Sequence, residues 1–193
     1  MFAIAAGVTV AGAALVGGYV GLVTGVIAPD LGVGRRVRQL GPQVVAIDAP
    51  REVVFDVIAA TYLGKQPRAV AEKVRVLERG TDMVLAAHHT PVRARLVATT
   101  VETVRFTPPE RIDFRLVRGP VPHVVERFEL TPASGGGTTL EYRGTLGTDL
   151  WWAGERWGDL VAAKWEHTVA GSLDSIKNEA ERLAHGNEGR GSG

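Results

Sequence analysis

The sequence predicts an α+β fold: a curved antiparallel sheet wrapped around one long C-terminal helix, preceded by a single apolar N-terminal helix. Three observations predict it. Residues 2–28 carry no charged side chain. Six β-prone runs then follow one another between residues 72 and 146, with only short turn signals between them. Finally Trp157, Val161, Trp165, Val169, Leu173, Ile176, Ala180 and Leu183 step by three or four, the spacing of one apolar helix face. A sheet and a helix that each have one apolar side bury both by packing together.

The N-terminal run is long enough to cross a bilayer. Residues 2–28 as a helix would reach ~40 Å, against a hydrocarbon core of ~30 Å. A cleaved leader has basic residues ahead of a shorter apolar run. Here no Lys or Arg precedes the run, and Ala28 is followed by Pro29, an awkward cleavage context. A buried core helix rarely lacks charge for so long. Residues 1–28 therefore read as a retained transmembrane helix in the cell membrane. Arg35, Arg36 and Arg38 follow it closely, so the positive-inside rule places the following domain in the cytoplasm. Gly17, Gly21 and Gly25 fall four apart on one face of such a helix, with Ala13 extending it. That small-residue spacing suits a transmembrane helix partner.

Residues 29–42 are rich in Gly and Arg and read as a juxtamembrane linker. Residues 43–47 form a short β-prone run. Asp48 is placed to cap a helix whose first turn holds Pro50. Val53, Val54, Val57 and Ile58 carry that helix through Ala60, and a second short helical piece is expected before Gln66. Strands are expected at 72–78, 83–90, 93–106, 111–117, 124–130 and 138–146. Arg79-Gly80-Thr81-Asp82, Pro108-Pro109 and Ser134-Gly135-Gly136-Gly137 supply turns between them. Links this short favour antiparallel hairpins in a meander. The domain spans residues 43–184, and residues 185–193 read as a disordered, Gly-rich tail.

Composition narrows the function classes. Of 193 residues, 45% are hydrophobic, enough to bury a sizeable core. A net charge of +1 gives no electrostatic case for nucleic acid. The absence of cysteine excludes disulfides and thiolate-bound zinc. Gly135-Gly136-Gly137 lacks a following Lys-Ser/Thr, so it is a turn and not a phosphate loop. No metal site, nucleophile elbow or cofactor is expected.

Three stretches carry a resemblance. They are residues 47–55 (Ile-Asp-Ala-Pro-Arg-Glu-Val-Val-Phe), residues 105–114 (Arg-Phe-Thr-Pro-Pro-Glu-Arg-Ile-Asp-Phe), and residues 137–142 (Gly-Thr-Thr-Leu-Glu-Tyr) with the long helix behind them. Together they resemble the START-like or SRPBCC superfamily, which includes the polyketide cyclase/dehydrase and lipid-transport families. The resemblance covers about residues 43 to 184. It implies a helix-grip fold whose concave sheet face and C-terminal helix enclose a cavity for an apolar small molecule. Members bind lipids, sterols, quinones, polyketides or hormones, and only some are enzymes, so the fold alone does not choose a function.

Strand alternation then selects candidates. Glu126 shares a face with Phe128 and Leu130, and Tyr142 shares one with Leu140. With Trp165 from the helix, these six are the expected ligand-binding residues. A carboxylate on an apolar wall must be paired, hydrogen-bonded or raised in pKa. Glu126 is therefore the first candidate for proton transfer, followed by Tyr142 and His123. A Glu126 at a strand end, paired with Arg95, Arg115 or Arg127, would do nothing more. On a strand of 93–106, Thr100 and Glu102 share the phase of Leu96, unless a bulge intervenes. The neighbours His88 and His89 face opposite ways on a strand and cannot share a metal. Trp151 and Trp152 are hard to bury together; they suit a cavity mouth or a membrane interface. The first functional reading is a membrane-tethered binding or transfer module for a lipid, isoprenoid quinone or polyketide-like molecule. The second is a cyclase/dehydrase-like enzyme, and the third an accessory subunit of a membrane complex.

Overall fold

A computed structural model describes residues 16–27, 30–64, 73–93 and 96–188. Seven strands form one antiparallel sheet: β1 (Arg36–Ile47), β2 (Val74–Arg79), β3 (Met83–Arg93), β4 (Leu96–Thr107), β5 (Arg111–Arg118), β6 (His123–Pro132) and β7 (Thr138–Thr148). Their spatial order is β1-β7-β6-β5-β4-β3-β2. From β2 to β7 this is the expected meander, and β1 closes on β7. Helix α1 (Arg51–Leu63) and the long helix α2 (Trp151–Glu188) cover the sheet's concave face.

Alternation sorts the side chains. In β6, Val124, Glu126, Phe128 and Leu130 are buried, while Val125, Arg127 and Glu129 are exposed. In α1, Val54, Phe55, Ile58, Ala59 and Tyr62 form the buried stripe. In α2, Ala162, Val169, Leu173 and Ala180 are buried, with Trp157, Val161, Trp165 and Ile176 packed against the same core. Leu183 departs from the expected stripe and is exposed; Ala184 takes the inward position.

Several boundaries differ from expectation. β1 begins at Arg36, so part of the expected linker 29–42 is strand, paired with β7 from Arg36↔Thr148 onward. The β-prone signal of residues 36–42 is interrupted by Gly41 and Pro42, where the register shifts between Leu40 and Gln43. Asp48 does not cap α1: Pro50 stands at the N-cap without a side-chain bond, and the Asp48 N–H instead donates to Oε1 of Glu181 on α2. α1 runs unbroken to Leu63, so no separate helical piece precedes Gly64. α2 starts at Trp151, and its last turns include residues 185–188 of the expected tail. Gly154 permits that early start, because a Cβ there would meet the Asp149 carbonyl oxygen at 1.6 Å.

The N-terminal segment is described from Val16. Residues 16–23 are helical and stop at a turn, where the N–H groups of Thr24, Gly25 and Ile27 donate to the carbonyls of Val20, Leu22 and Gly21. Among the described residues no helix is long and apolar enough to cross a membrane; residues 1–15, 28 and 29 lie outside them. Gly25 does not share a helix face with Gly17 and Gly21. Its φ is +72°, it lies in the turn, and a Cβ there would meet the Thr99 carbonyl at 2.6 Å.

Candidate functional site

The concave face is lined by a chain of aromatic rings. Phe55, Phe106, Tyr62, Phe114, Phe128 and Tyr142 contact one another edge-on or tilted, with centroids 5.3 Å apart for Phe114–Phe128 and 5.8 Å for Phe128–Tyr142. Such contacts fill an interior with apolar ring surface. Two carboxylates stand within it. Glu126 on β6 is 7% exposed and Glu102 on β4 is 4% exposed.

Glu126 is held from two elements. Tyr142 on the neighbouring strand β7 donates its hydroxyl to Oε1 at 2.5 Å, and Trp165 on α2 donates its indole N–H to the same oxygen at 2.6 Å. Gly144 is the register partner of Glu126, and it leaves room for the side chain: a Cβ there would meet Glu126 Cγ at 3.0 Å. Burial pushes the carboxyl up to about 7, with the Glu102 charge adding to the rise and the two donors opposing it.

Glu102 is held by His88 of β3, whose Nδ1 lies 3.0 Å from Oε2. The far nitrogen, Nε2, lies 3.3 Å from the hydroxyl of Tyr62 on α1. Nδ1 must carry a hydrogen to bond a carboxylate, whatever the charge of the ring. Burial pulls the imidazole toward neutrality, but the Glu102 carboxylate outweighs it and the net shift is upward. Burial pushes Glu102 up in turn, and is outweighed by the His88 charge and by bonds from His88 and Thr100, so it stays below the usual carboxylate range. Burial and both carboxylates push the Tyr62 phenol up, so it stays protonated; with His88 charged, Nε2–H donates to the phenol oxygen.

Of the expected site residues, the structure brings Glu126, Phe128, Tyr142 and Trp165 together. Leu130 and Leu140 face the same interior as a register pair farther along β6 and β7. His123 does not join them. It opens β6 in phase with Val125 and Arg127, whose side chains are turned outward. An offset of three from Glu126 means opposite faces of a strand. Tyr62, His88 and Glu102 were not among the expected site residues. Their signal was present: His88 shares its phase with Val84 and Ala86, and Glu102 with Val104 and Phe106, all inward. His89, on the other face, bonds Thr99. On the outer face a shallow groove of about 240 Å³ is lined by Asp113, Arg127, Glu129, Glu141 and Arg143. Arg127 pairs there with Asp113 and Arg143 with Glu141, and Glu126 and Gly144 also border the groove from β6 and β7. Among the described residues no group of three or more His, Cys, Asp or Glu could hold a metal ion.

Fold and site together define a helix-grip domain with a buried polar cluster in an aromatic interior. Residues 42–181 match the family of polyketide cyclase / dehydrase and lipid transport proteins, and the chain belongs to that family. No curated protein matches the chain. Among solved structures, Zhui aromatase/cyclase from Streptomyces sp. R1128 is 20% identical, with a TM-score of 0.61 over 77% of this chain and 94% of that one. A START superfamily protein from Mycobacterium smegmatis is 15% identical, with a TM-score of 0.51 over 76% of this chain and 98% of that one. The di-domain ARO/CYC BexL from the BE-7585A biosynthetic pathway is 20% identical, with a TM-score of 0.54 over 78% of this chain and 50% of that one. At these identities the likeness is one of fold.

Proposed function

We propose that the chain is a membrane-anchored binding or transfer module for an apolar small molecule with one hydrogen-bonding group, such as a lipid, an isoprenoid quinone or a polyketide-like compound. The observation that carries this reading is Glu126, fixed by Tyr142 and Trp165 beside a chain of aromatic rings in a largely apolar interior. A largely apolar site with a few convergent polar groups is how small-molecule pockets achieve orientation. A carboxyl near neutrality offers a ligand carbonyl a donor when protonated and a ligand hydroxyl an acceptor when not. The anchor rests on the uncharged residues 2–28. The domain then lies on the cytoplasmic side, next to Arg35, Arg36 and Arg38. Native mass spectrometry of the full chain, gently extracted from membranes, tests the binding reading. An apolar adduct that is lost on Phe128→Trp, with the fold intact, is expected; bare chain alone counts against it. Protease added to intact cells should leave the domain uncut.

One observation favours an enzyme as the second reading. Glu126 sits close enough to Glu102 and His88 for their charges to move its proton affinity, and paired groups with divided affinities are the means of acid–base catalysis. Glu126→Gln separates the two: a binder keeps most of its affinity, whereas an enzyme keeps binding and loses turnover.

A further inference from the structure

We propose that the end of the domain formed by Leu31, Val33, Leu150, Trp151 and Trp152 is a bilayer-contact face that lies in the interfacial zone of the membrane. The inference deepens the membrane-anchored reading and rests partly on it. These five side chains are between 47% and 74% exposed, and Trp152 is the most exposed. Tryptophan is enriched at bilayer interfaces because its ring is apolar and its N–H still reaches water.

The face is built and held. The Asp149 carboxylate accepts from the N–H groups of Leu31 and Gly32 at 2.7 Å each, and from Nε of Arg35 at 2.7 Å. The N–H of Leu150 donates to the Val33 carbonyl, and that of Trp151 to the Gly34 carbonyl. The Trp151 ring lies flat over Gly34, where a Cβ would come within 2.3 Å of it. Leu150 and Trp151 both have positive φ, 71° and 49°. Left-handed backbone is unfavourable at a residue other than glycine. These two residues turn the chain from β7 into α2, and their side chains stay 47% and 52% exposed.

The occupant follows from where the chain leaves this end. The apolar helical segment meets the domain beside the first turns of α2: Tyr19 packs edge-on against Trp157 at 6.2 Å, and Val23 is buried. Arg118 grips the turn after it, donating to the carbonyls of Gly25 and Val26. Upstream of Val16 lie fifteen further residues without a charge. A bilayer holding that stretch would lie near the end of the domain where α2 begins, because Tyr19 touches Trp157 in the second turn of that helix. Nearby charges are of both signs, with Arg38 bonded to Asp159 and Arg35 to Asp30 and Asp149. The contact is therefore apolar and should depend little on anionic lipid.

The chain has no cysteine, so single-cysteine labelling is clean. Full-length Trp152→Cys and Leu183→Cys proteins, carrying nitroxide labels, are reconstituted in vesicles of phosphatidylcholine and phosphatidylglycerol. Collision with oxygen and with a water-soluble nickel chelate is then measured. The oxygen-to-nickel ratio should be severalfold higher at 152 than at 183, and Val33→Cys should repeat the result if Trp152→Cys folds poorly. Equal ratios in vesicles that retain the chain through a carbonate wash overturn the contact face and leave the anchor standing. A label at 152 shielded from both reagents points to a protein on this face and also overturns it. If carbonate strips the chain, the anchor fails, and the face stands only if the label reported lipid before the wash.

Discussion

The hydroxyl of Tyr142 lies 2.5 Å from Oε1 of Glu126, and both side chains come from adjacent antiparallel strands facing one interior. The phenol itself is pushed up by burial and by the Glu126 charge, so it stays a neutral donor. Tyr142→Phe removes that donor and little volume. Hydrogen bonds to charged groups contribute about 1.5–3 kcal/mol, so the loss should reach that size at pH 8, where Glu126 is ionised. It should be smaller at pH 5, where the carboxyl is neutral. Urea unfolding at the two pH values reads the difference; equal losses would show that the bond does not serve the carboxylate.

The raised proton affinity of Glu126 sets a pH dependence. Its folded-state value of about 7 stands above its ordinary 4.5. Between those values the native state holds a proton that the unfolded state has released, so stability falls as pH rises through that window. His88 is also raised from 6.5, and its contribution is lost at higher pH in the same direction. Glu102 is lowered from 4.5, so its contribution is lost as pH falls below that value. Stability should therefore peak at mildly acidic pH. Glu126→Gln should flatten the decline toward pH 8, a difference of about 1–3 kcal/mol. A Tm profile of the two proteins from pH 4 to 9 checks it.

Much of this was legible in the sequence. Alternation placed Glu126, Phe128, Leu130, Leu140 and Tyr142 on the inner face because β6 keeps a period of two from Val124 to Leu130 and β7 from Thr138 to Arg143. The same rule put Glu102 in the phase of Leu96 without making it a site residue, and it left His88 unassigned, because a polar residue among Ala and Thr gives a weaker phase than one beside Phe and Leu. The grip of Trp165 on Glu126 was not legible, since no local pattern states which turn of a helix crosses which strand. Nor was the Asp149 clamp, which joins positions 117 and 118 residues apart. β1 was underestimated because Gly41-Pro42 reads locally as a break, and only its pairing with β7 shows the strand resuming across the shift.

Trp165 both packs and donates, and two variants divide these roles. Trp165 is half-buried, so Trp165→Ala should cost about 3 kcal/mol, the low end of the range for truncating a large core aromatic. Trp165→Phe keeps most of the ring surface and removes the N–H to Glu126, so its loss should be about 1–3 kcal/mol and larger above pH 7 than below it. Chemical denaturation of the three proteins measures both. A loss under about 1 kcal/mol for the alanine variant would mean that α2 does not press on a packed interior.

The sharpest test of the buried cluster is whether its two carboxylates sense each other. After burial, the charge of Glu102 is the larger cause raising Glu126, and the opposing influence of His88 is the smallest. Glu102→Gln removes the negative charge, and it also lets His88 become neutral, donating Nδ1–H to the amide oxygen. The first change lowers the proton affinity of Glu126 and the second raises it slightly, so the net movement should be downward from about 7. His88→Ala acts the other way. It leaves Glu102 buried without its partner, a defect that costs about 3–5 kcal/mol while the carboxylate stays charged; protonation of Glu102 limits that loss below neutral pH. Carboxyl carbon NMR of Glu126 through a pH titration reads the shift directly. If Glu126 titrates at the same pH with glutamine at position 102, the interior is not one electrostatic unit, and the acid–base reading of the site falls with it.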